Sequence, residues 1–246
     1  MSRNERAPDA ASLTVPRALT HGDMEVLGLM PNASNYTFLA RCTADGEEVL
    51  AIYKPRRGEI PLWDFPDGTL HRREVAAYLL SHALGWPNVP PTVLRDGPEG
   101  WGSAQLYIPF DPEHHAFTLE PDRPDEFRRI ALFDIVVNNA DRKGGHCLLG
   151  EDGRVYVIDH GVCFSTEPKL RTVLWSYVGE ALPPELRADL ARLDGELEDG
   201  PVARELAGLL DPQEIETLRD RLRRLLALGA FPEPEPGARP YPWPPI

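Results

Sequence analysis

From Gly22 to Tyr53 apolar and polar positions alternate at the two-residue period of strands. Tyr36-Thr-Phe-Leu-Ala-Arg41 and Val49-Leu-Ala-Ile-Tyr53 flank Asp45-Gly46, a pair that tolerates positive φ and so predicts a tight hairpin. Residues 55–68 are rich in Pro and Gly and predict a connection. The period then lengthens. Val75, Ala76, Leu79, Leu80 and Ala83 recur at helical spacing, predicting a helix over 69–84 that Gly85-Trp-Pro ends. Val89 to Val93 and Ser103 to Phe110, around Asp96-Gly97, read as further strands.

Beyond Phe110 the pattern is helical. Pro124-Asp-Glu opens a helix carrying Phe127, Ile130, Ala131, Ile135 and Val136. The last helix begins at Asp211-Pro-Gln-Glu214, with an N-cap acid, Pro at the first helical position and Glu at the third. It carries Ile215, Leu218, Leu222, Leu225 and Leu226, and Gly229 stops it. No internal repeat is present. The predicted class is α+β: a mobile arm over 1–20, a strand-rich lobe over 21–106, a helix-rich lobe over 107–230 and a Pro-rich tail over 231–246. Ligands are expected in the cleft between the lobes. Tyr241 and Trp243 predict that the tail packs on the surface.

Composition narrows the function classes. At 42% apolar and 26% charged, the 246 residues are ordinary for a globular chain. A net charge of −13 argues against a nucleic-acid partner, which would need a basic stripe. Cys42, Cys147 and Cys163 match neither a disulfide framework nor zinc-knuckle spacing. No apolar run reaches the roughly 20 residues of a membrane span. With no charged-then-apolar leader, the expected location is cytoplasmic.

The chemistry concentrates between Asn139 and Gly161. A loop, Asn139-Ala-Asp-Arg-Lys-Gly-Gly-His146, carries Asp141; an apolar stretch, an Asp152-Gly153 turn and Val155-Tyr-Val-Ile158 then deliver Asp159. Phosphoryl transfer from a nucleotide uses such a pair, one carboxylate orienting the acceptor hydroxyl and the other holding the metal. Taken alone, Asp159 also reads as the start of a turn before Gly161. Lys54 ends a strand, where it can reach phosphates or simply point to solvent. Glu74 lies on the next helix, able to pair with Lys54 or with Arg72 or Arg73. No Gly-rich phosphate loop is present. Asn32, Ser34 and Asn35 in Met30-Pro-Asn-Ala-Ser-Asn-Tyr36 stand in the matching place, although turn chemistry explains them equally. Gln105, Tyr107 and Ile108, near the change from strands to helices, are candidate adenine contacts.

Asn139-Ala-Asp-Arg142, Ile158-Asp-His-Gly161 and Ile52-Tyr-Lys54-Pro together resemble the phosphatidylinositol 3/4-kinase-related families, including the type II phosphatidylinositol 4-kinases and the HipA-like kinases. More closely, the chain resembles uncharacterised actinobacterial proteins labelled phosphatidylinositol kinase-like, over roughly residues 22–230. The resemblance implies a two-lobed protein-kinase-like fold, ATP with Mg²⁺ or Mn²⁺, and a small-molecule, lipid or protein acceptor. By position it makes Asp141 the acceptor-orienting base, Asp159 the main metal ligand, Lys54 the phosphate contact, Glu74 its partner and Arg142 the loop organiser. Where these kinases usually carry Asn as second metal ligand, five residues after the loop Asp, this chain has His146, a ligand that favours Mn²⁺ over Mg²⁺. Gly144-Gly145 predicts a looser loop than usual.

Three other readings remain open at this point. One is a non-catalytic, nucleotide-binding pseudokinase; another is an AMP transferase using the same parts. The third is a metal-dependent phosphoesterase built on Asp141, His146, Asp159 and His160, with His114-His115 nearby. For a lipid acceptor, Arg56-Arg57 and Arg72-Arg73 are candidate membrane-facing cations.

Overall fold

Asp45 and Gly46 sit at φ of +51° and +81°, paired left-handed conformations that reverse the chain in two residues. In the computed structural model, which describes residues 14–31, 35–237 and 239–246, they join β2 (Phe38–Ala44) to β3 (Glu47–Pro55). β1 (Asp23–Leu29) pairs with β2, β5 (Gly102–Leu106) with β3, and β4 (Thr92–Arg95) with β5. The result is a five-stranded antiparallel sheet of order β1-β2-β3-β5-β4. Alternation along β3 sends Ala51 and Tyr53 to one face, where both are fully buried, and Ile52 and Lys54 to the other.

The buried face is covered from an unexpected quarter. Within the stretch predicted as a mobile arm, Arg17–His21 forms a short helix, α1, whose Ala18 and Leu19 pack against Cys42, Ala51 and Ala104. Glu47 accepts the Ala18 N–H at 2.8 Å, and the Arg95 guanidinium bonds the carbonyls of Leu19 and Gly22. Residues 1–13 lie outside the described residues.

The helix predicted over 69–84 is α2 (Leu70–Leu84), and it is buried on nearly every side: His71, Arg73 and Glu74 lie inside along with its apolar residues. Ala76, Ala77, Leu80 and Leu84 join the large core of the second lobe. The core boundary therefore does not follow the sequence boundary at 106/107, because α2 serves both lobes.

The second lobe contains α3 (Ala116–Leu119), α4 (Pro124–Val137), the hairpin β6 (Cys147–Leu149) and β7 (Val155–Val157), then α5 (Pro184–Asp199), α6 (Pro201–Leu206) and α7 (Pro212–Leu228). Phe127, Ile130, Leu132 and Phe133 of α4 meet Leu190 and Leu193 of α5 and Leu218 and Leu222 of α7. Burying each such side chain stabilises by about 1.5–3 kcal/mol. At the start of α7 the predicted box forms: Glu214 bonds the Asp211 N–H at 3.0 Å, and its other oxygen pairs with the buried Arg73. Arg73 is thus no membrane-facing cation, and Arg57 is paired with Glu99. No helix among the described residues is long and apolar enough to cross a membrane.

The tail runs back over this lobe, held by its backbone. Pro240 O accepts from Thr172 N–H and Trp175 Nε1, and Pro245 O accepts from Gly144 N–H at 2.7 Å. The tail thus packs on the surface as expected, but through its backbone, with Tyr241 and Trp243 exposed.

Candidate active site in the inter-lobe cleft

A cavity of about 660 Å³ lies between sheet and helices, lined by Lys54, Glu74, Asp141, His146 and Asp159 and also by Gln105, Tyr107 and Ile108. Residues from four sequence-distant places meet here because α2 packs against the sheet while the hairpin of β6 and β7 turns its open end, His146 and Asp159, toward the cavity.

Lys54 is the hinge of the charge arrangement. Its ammonium pairs with Glu74 Oε1 and lies 2.9 Å from Asp159 Oδ1. Burial alone would lower the Lys54 pKa, but the two carboxylates outweigh it and the pKa is raised. In return the Lys54 ammonium, working against burial, holds the Asp159 carboxyl well below the usual carboxylate range. Glu74 also holds the neighbouring turn. Its Oε2 accepts the His160 N–H at 2.9 Å, fixing the backbone that presents Asp159. Asp159 sits at φ +63°, a left-handed conformation that Asp tolerates better than most residues. The bend throws its carboxylate into the cleft and His160 into the interior, so the adjacent side chains diverge.

Arg142 is wholly buried and paired with the equally buried Asp134 of α4, Nε to Oδ2 at 3.0 Å. Its Nη1 bonds Ile158 O at 2.8 Å and its Nη2 meets His160 Nε2 at 2.7 Å. Asp134 also accepts from Asn139 Nδ2 at 3.0 Å. One carboxylate therefore fastens both ends of the Asn139–Arg142 turn. Asp134 escapes sequence reading because it stands among the apolar residues of a helix. Asp141, at the crest of that turn, donates its backbone N–H to Asn139 Oδ1 and has Lys143 Nζ at 3.4 Å. Burial pushes the Asp141 carboxyl up, the Lys143 ammonium partly offsets this, and Asp159 adds to the rise.

His146 Nε2 lies 3.3 Å from Asp159 Oδ2, and Nδ1 receives the Lys143 N–H at 3.4 Å. Burial, helped by the neighbouring cations, brings the imidazole down to about 4, so the ring is neutral at pH 7. Gly144–His146 forms a 3-10 turn with Gly144 bonded to Pro245, and a Cβ on Gly144 would meet Phe117 at 2.9 Å. The Gly-Gly step is a close approach rather than a source of looseness.

Other predicted contacts fare differently. Asn35 Oδ1 accepts the Ile60 N–H at 2.7 Å, and Asn32 and Ser34 lie outside the described residues. The Gln105 amide donates to Thr92 Oγ1 and Tyr107 N–H to Leu50 O at 2.9 Å, while both residues line the cavity. Ile108 N–H has no partner among the described residues. The phosphoesterase set does not assemble: His160 is turned to Arg142, and His114 lies by Asp111, 3.6 Å away. Among the described residues no group of three or more His, Cys, Asp or Glu is arranged to hold a metal.

No family model matches the chain. It is 42% identical over 261 residues to Protein Rv2133c of Mycobacterium tuberculosis, an alignment covering 92% of this chain and 93% of that one. The chain belongs to the Rv2133c family. This member of the Rv2133c family is also 31% identical over 191 residues to phosphatidylinositol 4-kinase gamma 4 of Oryza sativa, covering 69% of the chain but 33% of the rice protein. The Arabidopsis thaliana phosphatidylinositol 4-kinase gamma 2 matches at 26% over 35% of its length. The chain thus spans about a third of these plant relatives. Among solved structures, the proinflammatory kinase CtkA of Helicobacter pylori superposes with a TM-score of 0.52 at 11% identity, over 87% of this chain and 94% of that one. That likeness gives this chain a two-lobed kinase-like fold.

Proposed function

We propose that the chain is an ATP-dependent phosphotransferase that moves a phosphoryl group onto a hydroxyl acceptor. The observation that carries this reading is the meeting of Lys54 with both Glu74 and Asp159 at the mouth of Asp141. A strand lysine fixed by a helix carboxylate, beside one metal-binding and one orienting carboxylate, is the apparatus of phosphoryl transfer.

In this reading the nucleotide lies in the cleft with adenine at Ile108 N–H and phosphates at Lys54. Asp159 and His146 would hold the divalent ion, Mg²⁺ or Mn²⁺, which would neutralise phosphate charge. The donor set fits: an ionised carboxylate and a neutral imidazole face each other at 3.3 Å. Asp141 orients the acceptor hydroxyl and takes its proton as the oxygen attacks the γ-phosphorus, while the bond from that phosphorus to the bridging oxygen breaks and ADP leaves. Arg142, locked by Asp134, keeps that turn rigid and forms no contact with the reacting atoms.

Both Asp159 oxygens are engaged by protein groups, Lys54 and His146, which favours a second reading as a pseudokinase that binds nucleotide without turnover. Thermal shift with ATP or ADP and Mg²⁺ or Mn²⁺ tests the shared premise. Ligand at about 100 times its dissociation constant adds about 2.7 kcal/mol; absence of any shift overturns both readings. Transfer of label from γ-³²P-ATP then separates kinase from pseudokinase, and α-³²P-ATP detects nucleotidyl transfer instead.

A further inference from the structure

The segment between β3 and α2 is more than a connection. Of residues 59–65, all but Pro61 line the cavity. Their root is fixed: Glu59 accepts the N–H groups of Leu70 and His71, at 3.1 and 2.9 Å, and faces His71 Nδ1 at 2.6 Å. Farther along, Phe65 packs with Leu70 and with Ala140 of the Asp141 turn, and Val162 borders the same cluster.

At the tip the attachment changes character. Asp64 Oδ2 pairs with Lys169 Nζ at 3.0 Å, both side chains nearly buried, and the same ammonium lies 5.1 Å from the centre of the Trp63 ring. Trp63 is 92% exposed. A tryptophan so exposed gains little from burial, so the Lys169 ammonium is what orients it, by attraction to the ring face. Lys169 belongs to the stretch after Asp159-His-Gly161, and its own N–H is anchored to Asn138 Oδ1 at 3.0 Å. Trp63 and Asp64 are therefore held through one cation of the opposite lobe, between Leu62 and Phe65, which pack into the apolar cluster.

We propose that residues 59–65 are a lid over the cleft, latched by the Asp64–Lys169 pair with Trp63 as its outer plate, and that release of this latch controls ligand exchange. A charge pair suits a latch because it holds closely yet is re-solvated when Trp63 and Asp64 lift away. The inference rests on the nucleotide-binding reading of the cleft, but the latch itself is measurable without ligand.

The test uses the full chain and charge exchange: Asp64→Lys, Lys169→Asp, and both together. Dissociation of a fluorescent methylanthraniloyl-ADP with Mg²⁺, chased by excess ATP, should accelerate at least about fivefold in each single variant and return to within about twofold of the parent in the double variant. Single variants that bind the probe and release it at the parental rate overturn the latch, as does a double variant that compounds both losses. If the parent itself binds no nucleotide, the proposed function fails and the latch is judged by amide hydrogen exchange alone. Protection across residues 60–65 should drop in both single variants and recover in the double. Unchanged protection overturns it.

Discussion

Lys54 on β3 and Asp159 beyond β7 meet at 2.9 Å, although 105 residues separate them in the chain. The ammonium neutralises a carboxylate that would otherwise stand half-exposed beside Glu74 and Asp141. It therefore serves the ligand-free protein as a counter-ion in the place where phosphate and metal would bring their own charges.

Removing that cation separates two effects. Lys54→Met should weaken nucleotide binding about tenfold or more, a loss of about 1.4 kcal/mol or greater, because the phosphates lose their cation. The same variant should bind Mn²⁺ alone more tightly than the parent, since Asp159 no longer has a competing ammonium. Calorimetric titration with Mn²⁺ and with ADP reads both. A parallel fall in the two affinities contradicts the assigned geometry.

The two cleft carboxylates should fail in different ways. Asp159→Ala should abolish metal-dependent nucleotide binding, whereas Asp141→Ala should bind nucleotide like the parent and lose transfer by about 10²–10⁴-fold. Asp141 must be ionised to accept the proton, and its pKa is raised by burial. Transfer should thus rise with pH through that raised value and then level off, on the basic side of an ordinary aspartate titration. Variants that both bind and both turn over nucleotide remove the assignment of the Asp141 turn.

Much of this was legible in the chain because it depended on local rules. Asp45-Gly46 demands a two-residue turn, α7 carries its capping box in Asp211 and Glu214, and Lys54, Glu74 and Asp159 converge as strand, helix and hairpin require. What stayed hidden were partners chosen by packing. Arg73 reads as solvent-facing beside Arg72, yet α2 is enclosed and Arg73 finds Glu214, 141 residues away. Asp134 interrupts an apolar helix face and has meaning only once Arg142 lies against it. The latch between Asp64 and Lys169 leaves no periodic trace, since each residue sits in irregular chain. Short α1 gives no helical period to detect, and its stability comes from Leu19 and Ala18 against the sheet.

Two imidazoles set the acid limb of stability. In the fold His146 is held at about 4 and His160 well below its ordinary value, in both cases chiefly by burial. Unfolded, each titrates near 6.5. A depressed folded pKa means that the unfolded chain takes up more protons between the two values. The stability associated with each ring is therefore complete above about pH 6.5 and is lost as pH falls below it, down to about 4 for His146, at up to about 1.4 kcal/mol per pH unit per ring. Urea unfolding in chelator at pH 7 and pH 5 should show this loss, and His146→Asn should reduce the slope. An equal slope in that variant would mean the ring is not held neutral.

The metal preference of the cleft should turn on the same residue. With its ring neutral at pH 7, His146 offers a ligand without first releasing an acid proton, and Nε2 already points at Asp159 Oδ2 from 3.3 Å. In the metal-free protein a hydrogen on Nε2 fills that gap. For Nε2 and Asp159 to hold an ion, the ring would carry its hydrogen on Nδ1, giving up only the long 3.4 Å contact from Lys143 N–H. Imidazole favours Mn²⁺ over Mg²⁺, whereas an amide oxygen reverses the preference. His146→Asn should accordingly shift nucleotide-dependent turnover, or ADP binding if turnover is absent, from Mn²⁺ toward Mg²⁺ by about tenfold in the ratio of the two. The measurement compares both metals in both proteins at pH 7.5. A ratio left unchanged by the substitution would assign His146 to holding Asp159 in place and leave the ion to the carboxylate and the phosphates.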